Sequence, residues 1–380
     1  MRRRWLGRLG KGALLLSAVL AALAFVATDH FRSFGGDPLG FSGERVRASK
    51  NFRDGEFQNG EVTTLMLKGA YRASAKMFLD PPELTAPNCP LPVVRAKAQP
   101  LPASGLRITW LGHSTTLIEL DGARFLTDPN FSERASPTQW LGPKRFHPPP
   151  MALDDLPKLD AVLISHEHYD HLDMYSVREL AARGVKFHVP LGVGAHLHAW
   201  GVATRQIIEH DWWEPSRISD RVRLISTPAR HFNGRGVPFR TGTFWTSWVM
   251  QGDAHRVFFS GDTGASRTFD DVRDKLGPFD VAMLEIGQYH ESWGEIHLGP
   301  VGALELSQQL RAKALFPIHW GTFKLAFHPW SEPAETLAVA AEKRGVRLLT
   351  PRLGEPIEPD RGQDGARWWR TLPPSSGNCP

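Results

Sequence analysis

The run Asp160-Ala161-Val162-Leu163-Ile164 is short, β-branched and bounded by polar residues, the pattern of a buried strand. Beyond it, Met174, Val177, Leu180 and Ala181 recur at helical spacing. The stretch 174–183 therefore reads as a helix, with Ser176 and Glu179 at capping-box distance and Gly184 as its stop. Upstream, 107–112, 116–120 and 123–127 read as strands, the last two joined as a hairpin at Asp121-Gly122. Downstream, strands are predicted near 186–189, 204–208, 222–226, 243–250 and 256–260. A strand over 280–286, a helix over 301–310, a strand over 314–318, a helix over 333–344 and a strand over 346–350 complete the pattern. A β-rich first part followed by α/β alternation predicts an α/β (α+β) fold of two packed sheets with helices outside.

The flanks differ in texture. Residues 28–102 lack clear periodicity apart from helical spacing over 65–78, and the prolines between Pro81 and Pro102 mark an extended lead-in. Residues 353–380 read as a loose, Pro/Gly-rich tail, which leaves 103–352 as the hydrophobically patterned domain. In residues 1–27, Arg2, Arg3, Arg4, Arg8 and Lys11 precede an uncharged run over 13–27, the layout of a signal peptide. Arg2-Arg3-Arg4-Trp5-Leu6 also resembles a twin-arginine signal. An uncleaved membrane anchor fits the same residues, and either reading exports the main body to the periplasm or the outer side of the membrane. Cys89 and Cys379 leave a disulfide and two separate thiols both open, with pairing favoured in an exported chain.

At 380 residues the chain can bury a sizeable core. Its net charge of +5 is modest and carries no Lys/Arg-rich block beyond the extreme N-terminus, so no nucleic-acid partner is expected.

The strand at 160–164 runs into Ser165-His166-Glu167-His168-Tyr169-Asp170-His171-Leu172-Asp173, a strand-to-helix loop crowded with ligand-type side chains. A lone histidine is ordinarily a satisfied polar residue. This cluster is instead the composition of a metal site, because imidazole and carboxylate suit zinc and similar borderline cations. His166 and His168, two apart in extended backbone, project to one side, while Asp170 and His171 turn with the loop toward a second point nearby. Glu167 and Tyr169 alternate with these ligands and should point away. Further candidates directly follow strands: His231, then Asp262 within Ser260-Gly261-Asp262-Thr263-Gly264, then His319 within Ile318-His319-Trp320-Gly321-Thr322. Singly each is weak, since an aspartate between glycines is ordinarily a turn. In this order, with H-x-H-x-D-H first, they form one pattern.

That pattern resembles the signature of the metallo-β-lactamase superfamily. The stretch from Leu163 to Asp173 is similar to the branch of N-acyl-phosphatidylethanolamine-hydrolysing phospholipases D. The similarity continues in Trp110-Leu111-Gly112-His113-Ser114-Thr115, in Thr127-Asp128-Pro129-Asn130-Phe131-Ser132-Glu133-Arg134, in Gly142-Pro143-Lys144-Arg145-Phe146 and in Ile318-His319-Trp320-Gly321-Thr322-Phe323. The resemblance implies a metallo-β-lactamase αββα sandwich with two Zn2+ per chain. His166, His168 and His231 would hold one ion, Asp170, His171 and His319 the other, and Asp262 would bridge. Two cations roughly 3.5–4 Å apart can share a hydroxide and neutralise a substrate oxyanion. The resemblance further implies His297, in His297-Leu298-Gly299-Pro300-Val301-Gly302-Ala303, as a catalytic residue beside Asp170. The chain departs from the family at Gly299 and over 287–293, residues that line the substrate side.

The activity implied is that of a phospholipase D, cleaving a glycerophospholipid to phosphatidic acid and the head-group alcohol. The partners expected are a phospholipid at a membrane surface and a second copy of the chain in a homodimer. Trp212, Trp213, Trp293, Trp330, Trp368 and Trp369 are candidates for interfacial contact or for core packing. The Gly142–Arg145 stretch reads as a solvated loop or a phosphate contact. A metallo-hydrolase of a soluble substrate, such as a sugar-phosphate lactone or a cyclic phosphodiester, would present an open polar pocket. A non-catalytic, metal-dependent envelope lipid-binding protein would have no need of the full ligand set.

Overall fold

The computed structural model describes residues 17, 32–65, 84–235 and 241–373. Apart from Ser17 and Leu65, the expected targeting segment over 1–27 and the expected helix over 65–78 lie outside the described residues, as does Cys379. Cys89 is disulfide-bonded. Among the described residues, no helix is long and apolar enough to cross a membrane.

The N-terminal arm carries α1 (Pro38–Phe41), α2 (Gly43–Ala48) and a hairpin of β1 (Phe52–Arg53) with β2 (Glu56–Phe57). Val46 and Phe57 pack with Leu191, Phe244 and Trp245, so this weakly periodic stretch is a docked element of the domain.

Alternation of apolar side chains builds two sheets behind it. The first joins β3 (Leu106–Gly112), β4 (Thr115–Leu120), β5 (Ala123–Thr127), β6 (Ala161–Leu163), β7 (Phe187–Pro190) and β8 (Ile207–His210) in spatial order. The second joins β9 (Pro215–Arg217), β10 (Arg223–Thr227), β11 (Ser247–Gln251), β12 (Arg256–Phe259), β13 (Val281–Glu285) and β14 (Ala314–Ile318). Ile108, Trp110, Ile118, Phe125 and Leu163 meet Leu224, Trp248 and Met250 in one core. Their neighbours Leu117, Leu126, Val162 and Ile164 face the opposite side, where they pack with Val177 and Leu180 of α3 (Met174–Ala182). After α4 (Gly194–Ala199) and α5 (Thr268–Leu276), α6 (Gly299–Gln309) lies on β13 and β14 and against α7 (Glu332–Arg344). The result is the αββα sandwich expected. Each fully buried large apolar side chain contributes about 1.5–3 kcal/mol, so a core of this kind holds the strand ends rigidly.

Several expectations change. The strand over 346–350 is reduced to isolated bridges, Leu315 with Leu348 and Thr350 with Gly365. Residues 204–206 form a 3-10 turn ahead of β8, and β11 starts only at Ser247. Helix α3 is capped by Asp173, whose carboxylate accepts from Tyr175 N (3.3 Å) and Ser176 N (3.2 Å), in place of a Ser176/Glu179 box. The C-terminal segment is no loose tail: β15 (Pro356–Ile357) pairs with β3, and Trp368 and Trp369 are buried. Trp368 stacks on Trp320 with ring centres 5.4 Å apart and also on the buried Trp330, so Trp330, Trp368 and Trp369 are core. Arg145 is likewise buried rather than solvated, its guanidinium 5.6 Å from the Phe323 ring centre.

Candidate metal centre and active site

The strands deliver their C-terminal ends to one rim. His113 follows β3, Asp128 follows β5, the 165–173 loop follows β6, Asp262 lies just past β12, Glu285 ends β13 and His319 follows β14; His231 lies in the loop after β10. The two sheets are joined there, His319 N donating to His113 O (3.0 Å) and Thr246 N to Ser165 O (2.9 Å). His113, Asp128 and His319 have φ of 52°, 34° and 66°. This left-handed backbone costs a non-glycine residue about 1–3 kcal/mol and persists where surrounding structure holds it. Gly261, at φ 57°, makes the turn before Asp262 without that cost, and a Cβ there would collide with the Ser165 side chain.

The predicted metal-ligand residues all meet at this rim. His168 Nδ1 lies 2.9 Å from His166 Nε2 and 3.2 Å from His231 Nε2. Tetrahedral coordination at 2.0–2.1 Å separates ligand nitrogens by roughly 3.3 Å, so this trio converges on a cation-sized point. Asp170 Oδ2 lies 3.2 Å from both His171 Nε2 and His319 Nε2. Asp262 stands between the groups, Oδ1 3.2 Å from His171 Nε2 and Oδ2 3.2 Å from His319 Nε2. Its Oδ2 is also 3.9 Å from both His166 Nε2 and His231 Nε2. Asp262 Oδ1 and His171 Nε2 are buried without a hydrogen-bond partner. Buried polar atoms in that state each cost about 1–3 kcal/mol unless something joins them. The donor set and its spacing fit a pair of divalent cations.

Hydrogen bonds on the outer side aim the rings. Nδ1 of His166 is engaged by Ser165 Oγ (2.9 Å), of His171 by Asp128 Oδ2 (2.8 Å), of His231 by Ile296 O (3.1 Å) and of His319 by Gly287 O (3.2 Å). Each ring is thereby left to present Nε2 to the cluster. Burial and neighbouring imidazoles hold His166 and His231 well below the ordinary imidazole pKa, in the neutral form that ligates. Burial opposes charge on His171, but Asp262 and Asp170 raise its pKa well above the ordinary value. Burial also opposes charge on Asp170 and Asp262, yet the adjacent His171 keeps both well below the usual carboxylate range.

His297 stands beside this cluster, its ring centre 5.4 Å from that of His231 and 5.7 Å from that of His319. Its Nδ1 is 2.9 Å from Glu285 Oε2, which leaves Nε2 for other chemistry. Burial opposes its charge, but the Glu285 carboxylate raises its pKa to about 9. Trp293, His290 and Phe327 form a partly buried aromatic wall next to it. Glu167 and Tyr169 point away, as the alternation requires. Glu167 accepts from Gly234 N (2.8 Å) and Arg235 N (3.0 Å), and Tyr169 Oη donates to Arg235 O (3.1 Å).

His113, Asp128 and Glu285 were not among the predicted site residues. His113 Nε2 donates to Asp170 Oδ2 (2.8 Å), and burial with the nearby His319 lowers its pKa to about 3. Asp128 accepts from Ser165 N (2.7 Å) and Ser165 Oγ (2.6 Å) as well as from His171. Glu285 accepts from Leu298 N (3.0 Å) and Thr263 N (3.2 Å). Their signal in the sequence is faint: a charged or titratable residue at the end of an apolar strand, where burial demands a partner.

A family model described as the Beta-lactamase superfamily domain matches residues 123–320. An uncharacterized protein of Mycobacterium tuberculosis is 40% identical over 370 residues, covering 94% of this chain and 99% of the relative. The N-acyl-phosphatidylethanolamine-hydrolyzing phospholipase D 1 of Caenorhabditis elegans is 36% identical over 268 residues, covering 66% of this chain and 75% of the relative. Among solved structures, Igni18, a metallo hydrolase from the archaeon Ignicoccus hospitalis, shares the fold at a TM-score of 0.50 and 24% identity, covering 66% of this chain and 97% of that one. The chain therefore belongs to the metallo-β-lactamase superfamily, as a metal-dependent hydrolase whose relatives include N-acyl-phosphatidylethanolamine-hydrolysing phospholipases D.

Proposed function

We propose that the chain is a binuclear zinc phosphodiesterase of phospholipase D type. In this reading it hydrolyses a glycerophospholipid to phosphatidic acid and the head-group alcohol, with N-acyl-phosphatidylethanolamine as the first candidate. The observation that carries the reading is the pair of ligand groups with Asp262 standing between them, in a chain 36% identical to a phospholipase D over 268 residues. His166, His168 and His231 would hold one zinc and Asp170, His171 and His319 the other, with Asp262 available to both. When bound, the cations supply Lewis acidity toward the phosphate and make water nucleophilic near neutral pH.

The chain's own residues do the rest. A water oxygen adds to phosphorus and gives up one proton to solvent, the bond from phosphorus to the head-group oxygen breaks with its electron pair going to that oxygen, and the departing alcohol takes a proton. Asp170, held by His113, orients the water. His297 gives its Nε2 proton to the leaving oxygen while Glu285 fixes the ring. The substrate reaches this rim from a bilayer. Trp140 and Leu141, 66% and 63% exposed on one loop, form an apolar tip suited to a membrane surface, a role that Trp330, Trp368 and Trp369 cannot take from the core. The basic and then apolar layout of residues 1–27 supports export, which fractionation of the native protein tests; an unanchored cytosolic chain retaining Met1 would contradict it.

Vesicles containing N-acyl-phosphatidylethanolamine, incubated with the purified protein, should yield phosphatidic acid and N-acylethanolamine by mass spectrometry, with about two zinc ions per chain by elemental analysis. Release of diacylglycerol, or turnover confined to soluble lactones or cyclic phosphodiesters, would overturn the assignment.

A further inference from the structure

We infer that Asn59, in the N-terminal arm, is a positioning residue for the metal ligand His231. The inference rests on the reading of His231 as a ligand. His231 lies beyond the end of β10, where no ladder holds its backbone. One side-chain amide does so instead. His231 N donates to Asn59 Oδ1 (3.0 Å), and Asn59 Nδ2 donates to His231 O (2.9 Å). Trp245 Nε1 donates to the same Oδ1 (2.8 Å), which fixes the orientation of the amide. Asn59 thus satisfies both main-chain groups of His231 as a neighbouring strand would, while Ile296 O holds the ring at Nδ1.

The arm around Asn59 is clamped to the same loop. The buried Arg230 donates from Nε to Thr63 Oγ1 (3.0 Å) and from Nη2 to Val62 O (2.7 Å) and Glu295 Oε2 (2.6 Å). Glu295 N donates to Thr64 O (3.0 Å), and Glu295 is followed by Ile296, which holds the His231 ring. Glu61 Oε1 accepts from Arg267 N (2.6 Å) and Ser266 Oγ (2.8 Å), just beyond the Asp262 turn. The arm lies outside the matched superfamily domain, so one ligand of the metal centre takes its orientation from a segment 172 positions away. Asn59 also lines an open cleft of about 490 Å3 beside His231, which leaves direct contact with substrate as the rival role.

The test compares Asn59→Ala and Asn59→Asp with the native protein, all zinc-loaded, under graded chelator. The readouts are zinc per chain, cobalt-substituted absorption spectra, melting temperature, and KM and kcat on N-acyl-phosphatidylethanolamine vesicles. Loss of an outer partner of a metal ligand typically weakens the metal by 10–100-fold. N59A should therefore lose one ion at chelator concentrations where the native protein keeps both, with an altered cobalt spectrum. N59D keeps an oxygen acceptor for His231 N and Trp245 Nε1 but sets a carboxylate oxygen against His231 O, so its affinity should fall between those of N59A and the native protein, and it carries the test if N59A does not fold. Native metal affinity in both variants, with only a lower melting temperature or a higher KM, would overturn the inference. His231→Ala separates the two claims: if it too retains both ions, the ligand reading of His231 fails, not the role of Asn59 alone.

Discussion

At the scale of single residues, hydrogen-bonding groups outside the centre decide which way its imidazoles face. Asp128 is fully buried and takes hydrogen bonds from Ser165 N, Ser165 Oγ and His171 Nδ1, so the last of these rings is pinned with Nε2 inward. Asp128→Asn keeps the shape but presents an amide that cannot accept all three bonds. Metal affinity should fall about 10–100-fold in a chelator competition while the fold is kept. His297 offers a contrast, because it is held by Glu285 beside the cluster rather than inside it. His297→Ala should lower turnover about 10²–10⁴-fold, the range for a lost acid or base, with metal content unchanged by elemental analysis. Unchanged turnover with reduced stability would make it merely a residue of the turn leading into α6. The ligands themselves were legible because histidines at that density have no packing role to compete with. Their supporting carboxylates were not, because Asp128 and Glu285 acquire meaning only when strands distant in sequence are brought side by side.

At the scale of elements, the strand-to-helix loop carrying His166 to His171 is tied down at its far end by the cap of α3. Asp173 accepts from Tyr175 N and Ser176 N, and also from Ser132 Oγ (2.8 Å) on the loop after β5. One carboxylate thus closes a helix and a neighbouring connection together. Asp173→Ala should cost about 0.5–2 kcal/mol from the lost cap, read as a lower urea midpoint, and more to the extent that Ser132 is left without its partner. A variant as stable as the native protein would remove the cap from the account. The capping box at Ser176 and Glu179 failed as an expectation because a residue already in helical conformation cannot cap; the aspartate before it occupies the extended position. Core strands were predicted closely by their apolar alternation. The strand over 346–350 is realised only as single bridges, because Leu348 meets Leu315 of β14 while Thr350 meets Gly365, and alternation does not specify one partner along the length.

At the scale of the whole molecule, the hairpin turn, the second sheet and the C-terminal segment meet at His255. Its Nδ1 lies 2.7 Å from Asp121 Oδ1 and its Nε2 2.7 Å from Asp360 Oδ2. Burial opposes the charge on His255, but the two carboxylates raise its pKa above 6.5, while burial opposes and His255 lowers that of Asp121 below 3.8. A raised histidine contributes stability in full below its unfolded pKa and loses it as pH rises through the folded one. A depressed aspartate contributes in full above its unfolded pKa and loses it as pH falls through the folded one. The stability gap between native protein and His255→Gln should therefore be widest between about pH 4 and 6.5 and narrow on the alkaline side, as followed by urea titration across pH. A gap independent of pH would show that the contribution is packing.

The sequence by itself determined most strands and helices of the domain, the α/β class and, with the family resemblance, the histidines and aspartates that meet at one rim. Those properties follow from local periodicity and from side chains whose chemistry admits few other uses. Only the tertiary structure decided that the C-terminal segment is core, that Trp330, Trp368 and Trp369 lie inside while Trp140 sits on a loop tip, and that an arm with little periodicity holds His231. Burial and hydrogen-bond partners are properties of pairs, and here the pairs are separated by far more chain than any local pattern spans, as His231 and Asn59 are by 172 positions.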